Sequence, residues 1–145
     1  MKMSTDRVAL IAGSTGIVGR NLAAWLLEQG WRVYGLARRP SPVGGAIPLA
    51  ADLLDRGSLV DALTNVAPTN VFFCSWLRQP TEVENVAVNG RMIENLFAGL
   101  QEKPLQHAAL VTGTKHYLGP FESYGQTAAE TPFRETAPRL RAYRE

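Results

Sequence analysis

The sequence predicts a three-layer α/β/α sandwich on a parallel sheet of five strands in the order 3-2-1-4-5. Three observations carry that expectation. Strand-like and helix-like runs alternate along the chain, which calls for parallel strands joined by right-handed helical crossovers. The first run, Arg7 to Ala12, is apolar at nearly every position, as in a strand buried on both faces. Three glycines at three-residue spacing, Gly13, Gly16 and Gly19, then stand where that strand gives way to an apolar-striped helix.

The elements follow in order. Residues 7–12 read as the first strand and 17–29 as a helix with Val18, Leu22, Trp25 and Leu26 at helical spacing, ended by Gly30. Residues 31–37 are the second strand, 38–45 a polar, proline-containing loop and 46–50 a short third strand. A helix over 56–63 places Leu59 and Leu63 on one face, and 70–74 is the fourth strand. The long helix over 83–100 is expected to turn Val86, Ile93, Leu96 and Leu100 inward, and 108–112 is the fifth strand. From Gly113 onward periodicity ends, and Pro120, Pro132 and Pro138 punctuate a stretch typical of a functional loop or of disorder. Residues 1–113 are thus the expected nucleotide-binding core, and 114–145 an active-site loop with an incomplete, truncated remainder. The fifth strand is left at a sheet edge, where unpaired backbone groups invite self-association, so a homo-oligomer is the expected partner.

A chain of 145 residues with 46% hydrophobic composition supports one domain with a sizeable core. Lys and Arg total 15 against 13 for Asp and Glu, and the basic residues are dispersed except for Arg134, Arg139, Arg141 and Arg144. That pattern lacks the contiguous basic surface nucleic acid needs, so no nucleic-acid partner is expected. The single cysteine, Cys74, excludes an intrachain disulfide and a cysteine metal cluster, and its reduced state suits the cytoplasm. His107 and His116 are the only histidines and show no metal-ligand spacing. The apolar run near the amino terminus is too short for a secretory segment or a membrane span, so no membrane association is expected.

The glycine triplet gives the first functional clue and makes the fold Rossmann-like. Gly13 permits a tight turn off the strand, Gly16 leaves room for a pyrophosphate, and Gly19 lets the helix approach the sheet. Backbone N–H groups around Thr15, Gly16 and Ile17, with the positive helix end, would stabilise the phosphates. The spacing is a variant of the usual dinucleotide fingerprint, and a simple strand-to-helix turn is the alternative. Between Arg32 and Asp52 there is no acid to meet an adenosine ribose. Arg38 and Arg39 instead suit a 2′-phosphate, favouring NADPH over NADH, unless they only face solvent. Asp52 would accept from the adenine amino group with Leu53 against the ring, or be a solvated loop acid. Phe73, Cys74 and Ser75 end the fourth strand at the carboxyl edge, where ligands of open α/β sheets sit. Trp76 beside them lines a substrate pocket or caps the core. Past Thr112 at the end of the fifth strand, Lys115 would hydrogen-bond the nicotinamide ribose and lower a nearby phenol's pKa, or be a solvated lysine. His116 is a proton carrier or the structural partner of a tyrosine. Ser14 and Ser75 lack a histidine partner, which disfavours hydrolysis.

The segments Gly13–Gly19, Phe72–Trp76, Val88–Gly90 and Val111–Phe121, with Thr131–Phe133 and Pro138–Leu140, resemble the progesterone 5β-reductase/iridoid synthase-like enone reductases, an atypical branch of the extended short-chain dehydrogenase/reductase (SDR) family. The resemblance implies that Lys115, in a Thr-Gly-x-Lys-His-Tyr segment, is the catalytic lysine. It also implies NADPH as hydride donor to the β-carbon of an enone, and a tyrosine stabilising the enolate oxygen. The implied substrate is a small apolar carbonyl compound, with Trp76, Tyr117 and Phe121 as pocket walls. The sequence departs from the family where that tyrosine belongs. The Tyr-Tyr-x-x-Glu-Asp signature is absent, Tyr143 lies near its place, and Tyr117 and Tyr124 lie elsewhere. The implied function is therefore the cofactor-binding part of an NADPH-dependent enone reductase. The alternatives are an inactive NADP(H)-binding or regulatory module, and a nucleotide-sugar epimerase or dehydratase relative, which would carry a Tyr-x-x-x-Lys pair that this chain lacks.

Overall fold

The computed structural model describes residues 7–42, 44–113 and 134–136. Strand β1, Val8–Ala12, is buried at all five positions and forms the centre of the sheet. Strand β2, Arg32–Ala37, pairs with it in parallel from Val8 against Arg32 to Ala12 against Leu36. On its other side runs β4, Asn70–Phe73, with Ala9 against Asn70 and Ala12 against Phe73. Strand β3, Ile47–Ala50, adds to β2, and β5, His107–Leu110, adds to β4. The order is β3-β2-β1-β4-β5, all parallel, as the sequence predicts. Pro48 cannot donate to a ladder and is tolerated because, among the described residues, β3 pairs with β2 alone.

Alternation along the strands feeds two cores. Ala9, Ile11 and Val33 meet Ala23 and Leu26 of helix α1, Ile17–Glu28. Leu10, Ala12, Leu36 and Val71 face the other way. There they meet Leu59 and Leu63 of helix α2, Arg56–Leu63, and Met92 and Leu96 of helix α3, Glu82–Gly99. These are the three layers of a Rossmann-like α/β/α sandwich.

The inward faces differ from the sequence reading in two helices. In α1 the buried residues are Gly19, Ala23 and Leu26, with Leu22 half-buried, whereas Val18 and Trp25 are exposed. The first turn of the helix lies so close to the Gly13 loop that only glycine fits at position 19, and the apolar line then continues through Ala23 and Leu26 rather than Val18 and Trp25. In α3, Leu96 is buried, Leu100 is buried just past the helix end, and Ile93 packs partly against the core, as expected. Val86, expected inward, is 69% exposed. The buried line instead runs through Asn85, Asn89, Met92 and Leu96, so two amides hold the inner face of the first turns. Strand β5 begins one residue earlier and ends two residues sooner than expected, although Val111 N–H still donates to the Phe73 carbonyl at 3.0 Å. All four of its residues are exposed at the sheet edge. Among the described residues, no helix is long and apolar enough to cross a membrane.

Candidate functional site

The strand order reverses at β1: the chain runs outward from it through β2 and β3, then returns to its other side with β4. Ligands of open parallel sheets bind at the carboxyl edge beside such a reversal. Here the edge is built by the turn after β1 and the chain leaving β4. Gly13 N–H donates to the Leu36 carbonyl at 2.9 Å, and Gly16 N–H closes the turn on the Gly13 carbonyl at 3.1 Å. Gly13 has φ +86°, which a side chain disfavours, and a Cβ there would lie 2.6 Å from Ser75 Oγ and 2.9 Å from the Cys74 carbonyl carbon. The two segments therefore touch through glycine backbone. A Cβ on Gly19 would strike the Gly13 carbonyl, so the first turn of α1 lies against the loop. Ser14 is buried, its Oγ approaching the Leu36 carbonyl at 3.5 Å.

The amino terminus of α1 is chemically unlike those of α2 and α3. Asp55 caps α2 by accepting from Ser58 N–H. Thr81 and Glu84 form a reciprocal capping box on α3, which also has Glu82 in its first turn. In α1 the cap is Gly16, no side chain caps it, and the first turn holds no acid. Its N–H groups and partial positive charge are thus not neutralised by its own side chains, and Thr15, Gly16 and Ile17 are exposed.

The other described residues singled out in the sequence follow the carboxyl ends of strands in the same sheet. Arg38 and Arg39 follow β2 directly and are exposed. Asp52 is half-buried after β3. One of its carboxylate oxygens accepts Leu54 N–H at 2.9 Å, and its own N–H donates to Ser58 Oγ at 3.2 Å. Leu53 is 7% exposed, its side chain within the larger core. Cys74 is half-buried, its N–H donates to the Ala12 carbonyl at 2.8 Å, and burial raises its thiol pKa above the ordinary value. Ser75 is half-buried, and Trp76 is 65% exposed rather than capping the core. Thr112, just beyond β5, is exposed. The structure thus brings Gly13 together with Cys74 and Ser75, while Arg38, Arg39 and Asp52 follow the next two strands. Lys115, Tyr117 and Phe121, with His116, Tyr124 and Tyr143, lie outside the described residues. Among the described residues no group of three metal-ligating side chains occurs.

Sequence reasoning gave no role to three asparagines of α3, although Asn89 lies in the segment Val88–Gly90 that carries the resemblance. Asn85 Oδ1 accepts Gln79 N–H at 2.6 Å, and Asn89 Oδ1 accepts Leu77 N–H at 2.9 Å. Asn89 Nδ2 donates to the carbonyls of Leu77 at 2.9 Å and Asn85 at 2.8 Å. Asn95 Nδ2 donates to the Leu53 carbonyl at 3.0 Å. The available signal was their number, since asparagine is a poor residue for a helix interior unless its amide has a partner elsewhere.

Comparison with known proteins places these features in a wider group. The family model described as NAD dependent epimerase/dehydratase matches residues 9–143. The chain is 42% identical over 148 residues to an (S)-8-oxocitronellyl enol synthase of Camptotheca acuminata, covering 93% of this chain and 38% of that protein. It is 40% identical over 151 residues to a 3-oxo-Delta(4,5)-steroid 5-beta-reductase of Arabidopsis thaliana, covering 94% and 38%. These are homologues of the iridoid synthase and progesterone 5β-reductase type, and the chain spans well under half of their length. Among solved structures, a short-chain dehydrogenase/reductase superfamily protein from Agrobacterium tumefaciens with bound NAD superposes with a TM-score of 0.63 at 25% identity, over 76% of this chain and 34% of that one.

Proposed function

The chain belongs to the NAD dependent epimerase/dehydratase family, and from that premise we propose that it is the cofactor-binding part of an NADPH-dependent reductase of enone carbon–carbon double bonds. The observation that carries the reading is the uncapped, acid-free start of α1 beside the β1–β4 reversal, with Gly13 holding the intervening turn. Such a terminus suits a pyrophosphate: it offers N–H donors and positive potential at a backbone without obstructing side chains. The group fits the residues present.

In this reading Gly13, Thr15, Gly16 and Ile17 hold the pyrophosphate, and Arg38 with Arg39 meets the 2′-phosphate through planar guanidinium forks. Asp52 offers the adenine amino group the carboxylate oxygen that Leu54 does not engage, on a turn that Leu53 anchors in the core. Cys74, Ser75 and Thr112 flank the nicotinamide half. NADPH held by these residues would supply a hydride for the carbon β to the substrate carbonyl, and a proton taken up afterwards would complete the saturated product. Lys115 orients the nicotinamide ribose and contributes positive potential, while a tyrosine, as in the enone reductases the chain resembles, donates the hydrogen bond to the carbonyl oxygen, where electrostatic stabilisation counts most. Trp76, Tyr117 and Phe121 provide apolar surface for a small carbonyl substrate. The sequence similarity to a steroid 5-beta-reductase supports the reaction class.

The test is calorimetric titration of the chain with NADPH and NADH, followed by incubation with NADPH and a panel of small enones beside a Lys115→Ala control. The reading predicts NADPH binding in preference to NADH, and any saturated product to depend on Lys115. Failure to bind either dinucleotide contradicts it, and product formation unchanged in Lys115→Ala removes that lysine from the mechanism.

A further inference from the structure

We propose that α3 is a positioning brace for the cofactor site, in which Asn89 fixes the nicotinamide-side loop and Asn95 the adenine-side turn; this rests on the site described under Proposed function. The loop from Cys74 to Pro80 leaves the carboxyl end of β4 without regular secondary structure, yet it carries Ser75, against Gly13, and Trp76, open to solvent. Its next peptide groups are held by side chains rather than by a ladder. Asn89 grips Leu77 at both ends, accepting its N–H and donating to its carbonyl, each at 2.9 Å, as a neighbouring strand would. Asn85 fixes Gln79 N–H at 2.6 Å, and its carbonyl takes the second Asn89 N–H at 2.8 Å.

Both amides are 6% exposed, so an unpaired donor or acceptor there would be costly and the loop has one favoured placement. Two turns along the helix, Asn95 reaches the other end of the site through the Leu53 carbonyl, next to Asp52. One helix thereby sets the separation between the loop beside Gly13 and the turn bearing Asp52. None of the three asparagines is a catalytic residue; each acts through backbone groups of a loop.

The experiment uses the 145-residue chain labelled with fluorotryptophan, with the Trp76 signal assigned by Trp76→Phe. Asn89→Asp keeps the side-chain shape and the acceptor for Leu77 N–H, but turns a carboxylate oxygen toward the Leu77 and Asn85 carbonyls. It is expected to move the Trp76 fluorine resonance and leave those of Trp25 and Trp31 in place. Loss of two amide hydrogen bonds should weaken NADPH binding by about tenfold. Binding of 2′,5′-ADP, which lacks the nicotinamide half, should be unchanged. Asn95→Ala is expected to weaken both ligands in equal proportion without moving the Trp76 signal. Asn85→Ala, which releases only Gln79, should shift Trp76 in the same sense as Asn89→Asp and carries the test if that variant does not fold. An unmoved Trp76 resonance, or equal weakening of NADPH and 2′,5′-ADP in Asn89→Asp, overturns the brace. If the unaltered chain binds neither ligand, the functional reading falls and the Trp76 resonance alone decides the brace.

Discussion

Arg38 stands exposed at the end of β2 where the sequence offers no acid before Asp52. A charged hydrogen bond to a 2′-phosphate contributes roughly 1.5–3 kcal/mol, so Arg38→Ala should weaken NADPH by about tenfold or more and leave NADH nearly unchanged. Calorimetry on both cofactors checks this, and equal weakening would show that Arg38 does not read the phosphate. Gly13 combines φ +86° with Ser75 and Cys74 against its missing Cβ. Gly13→Ala therefore combines backbone strain of order 1–3 kcal/mol with a clash, and should lower the urea midpoint as well as cofactor affinity. At Cys74, burial disfavours the thiolate and raises the pKa in the folded chain. This group's contribution to stability is therefore constant below the ordinary thiol pKa and is lost as pH rises through the raised folded value. Alkylation of Cys74 should accordingly need higher pH in the native chain than in urea.

The helices show how much of each element was legible. The alternation of strands and helices, and most boundaries, follow from apolar periodicity and from glycine positions. The choice of inward face in α1 does not, because contact with the Gly13 turn requires glycine at position 19 and sets the line through Ala23 and Leu26, while periodicity rewards bulk at Val18 and Trp25. In α3 the reading failed at Val86 because Asn85 and Asn89 are buried by hydrogen bonds to a loop, a partner that no pattern within the helix reveals. The energetic consequence separates the two faces. Leu96→Ala, at a fully buried position, should cost about 2–5 kcal/mol, whereas Val86→Ser should stay within about 0.5 kcal/mol. Denaturant unfolding of both variants checks this, and a large loss at Val86 would mean that its face is covered in solution.

For the whole molecule, strand order was legible because right-handed crossovers leave few ways to arrange alternating strands and helices, and the glycine turn marks which strand comes first at the reversal. The glycine, cysteine and serine positions of the candidate site could be read for the same reason: the carboxyl ends of β1 and β4 are adjacent in this topology. The contacts that hold that edge in shape were not legible, since they join Leu77 and Gln79 to a helix that follows them. In the proposed function the dinucleotide lies across the start of α1 at this edge. The most direct measurement is amide chemical-shift mapping by NMR during titration with NADPH. Binding there should concentrate the shifts at Gly13, Gly16, Ile17 and Gly19, at Arg38, and at Cys74 to Trp76; saturable binding that leaves Gly13 to Gly19 unmoved and perturbs the opposite edge of the sheet, around Arg7 and Trp31, would contradict this placement.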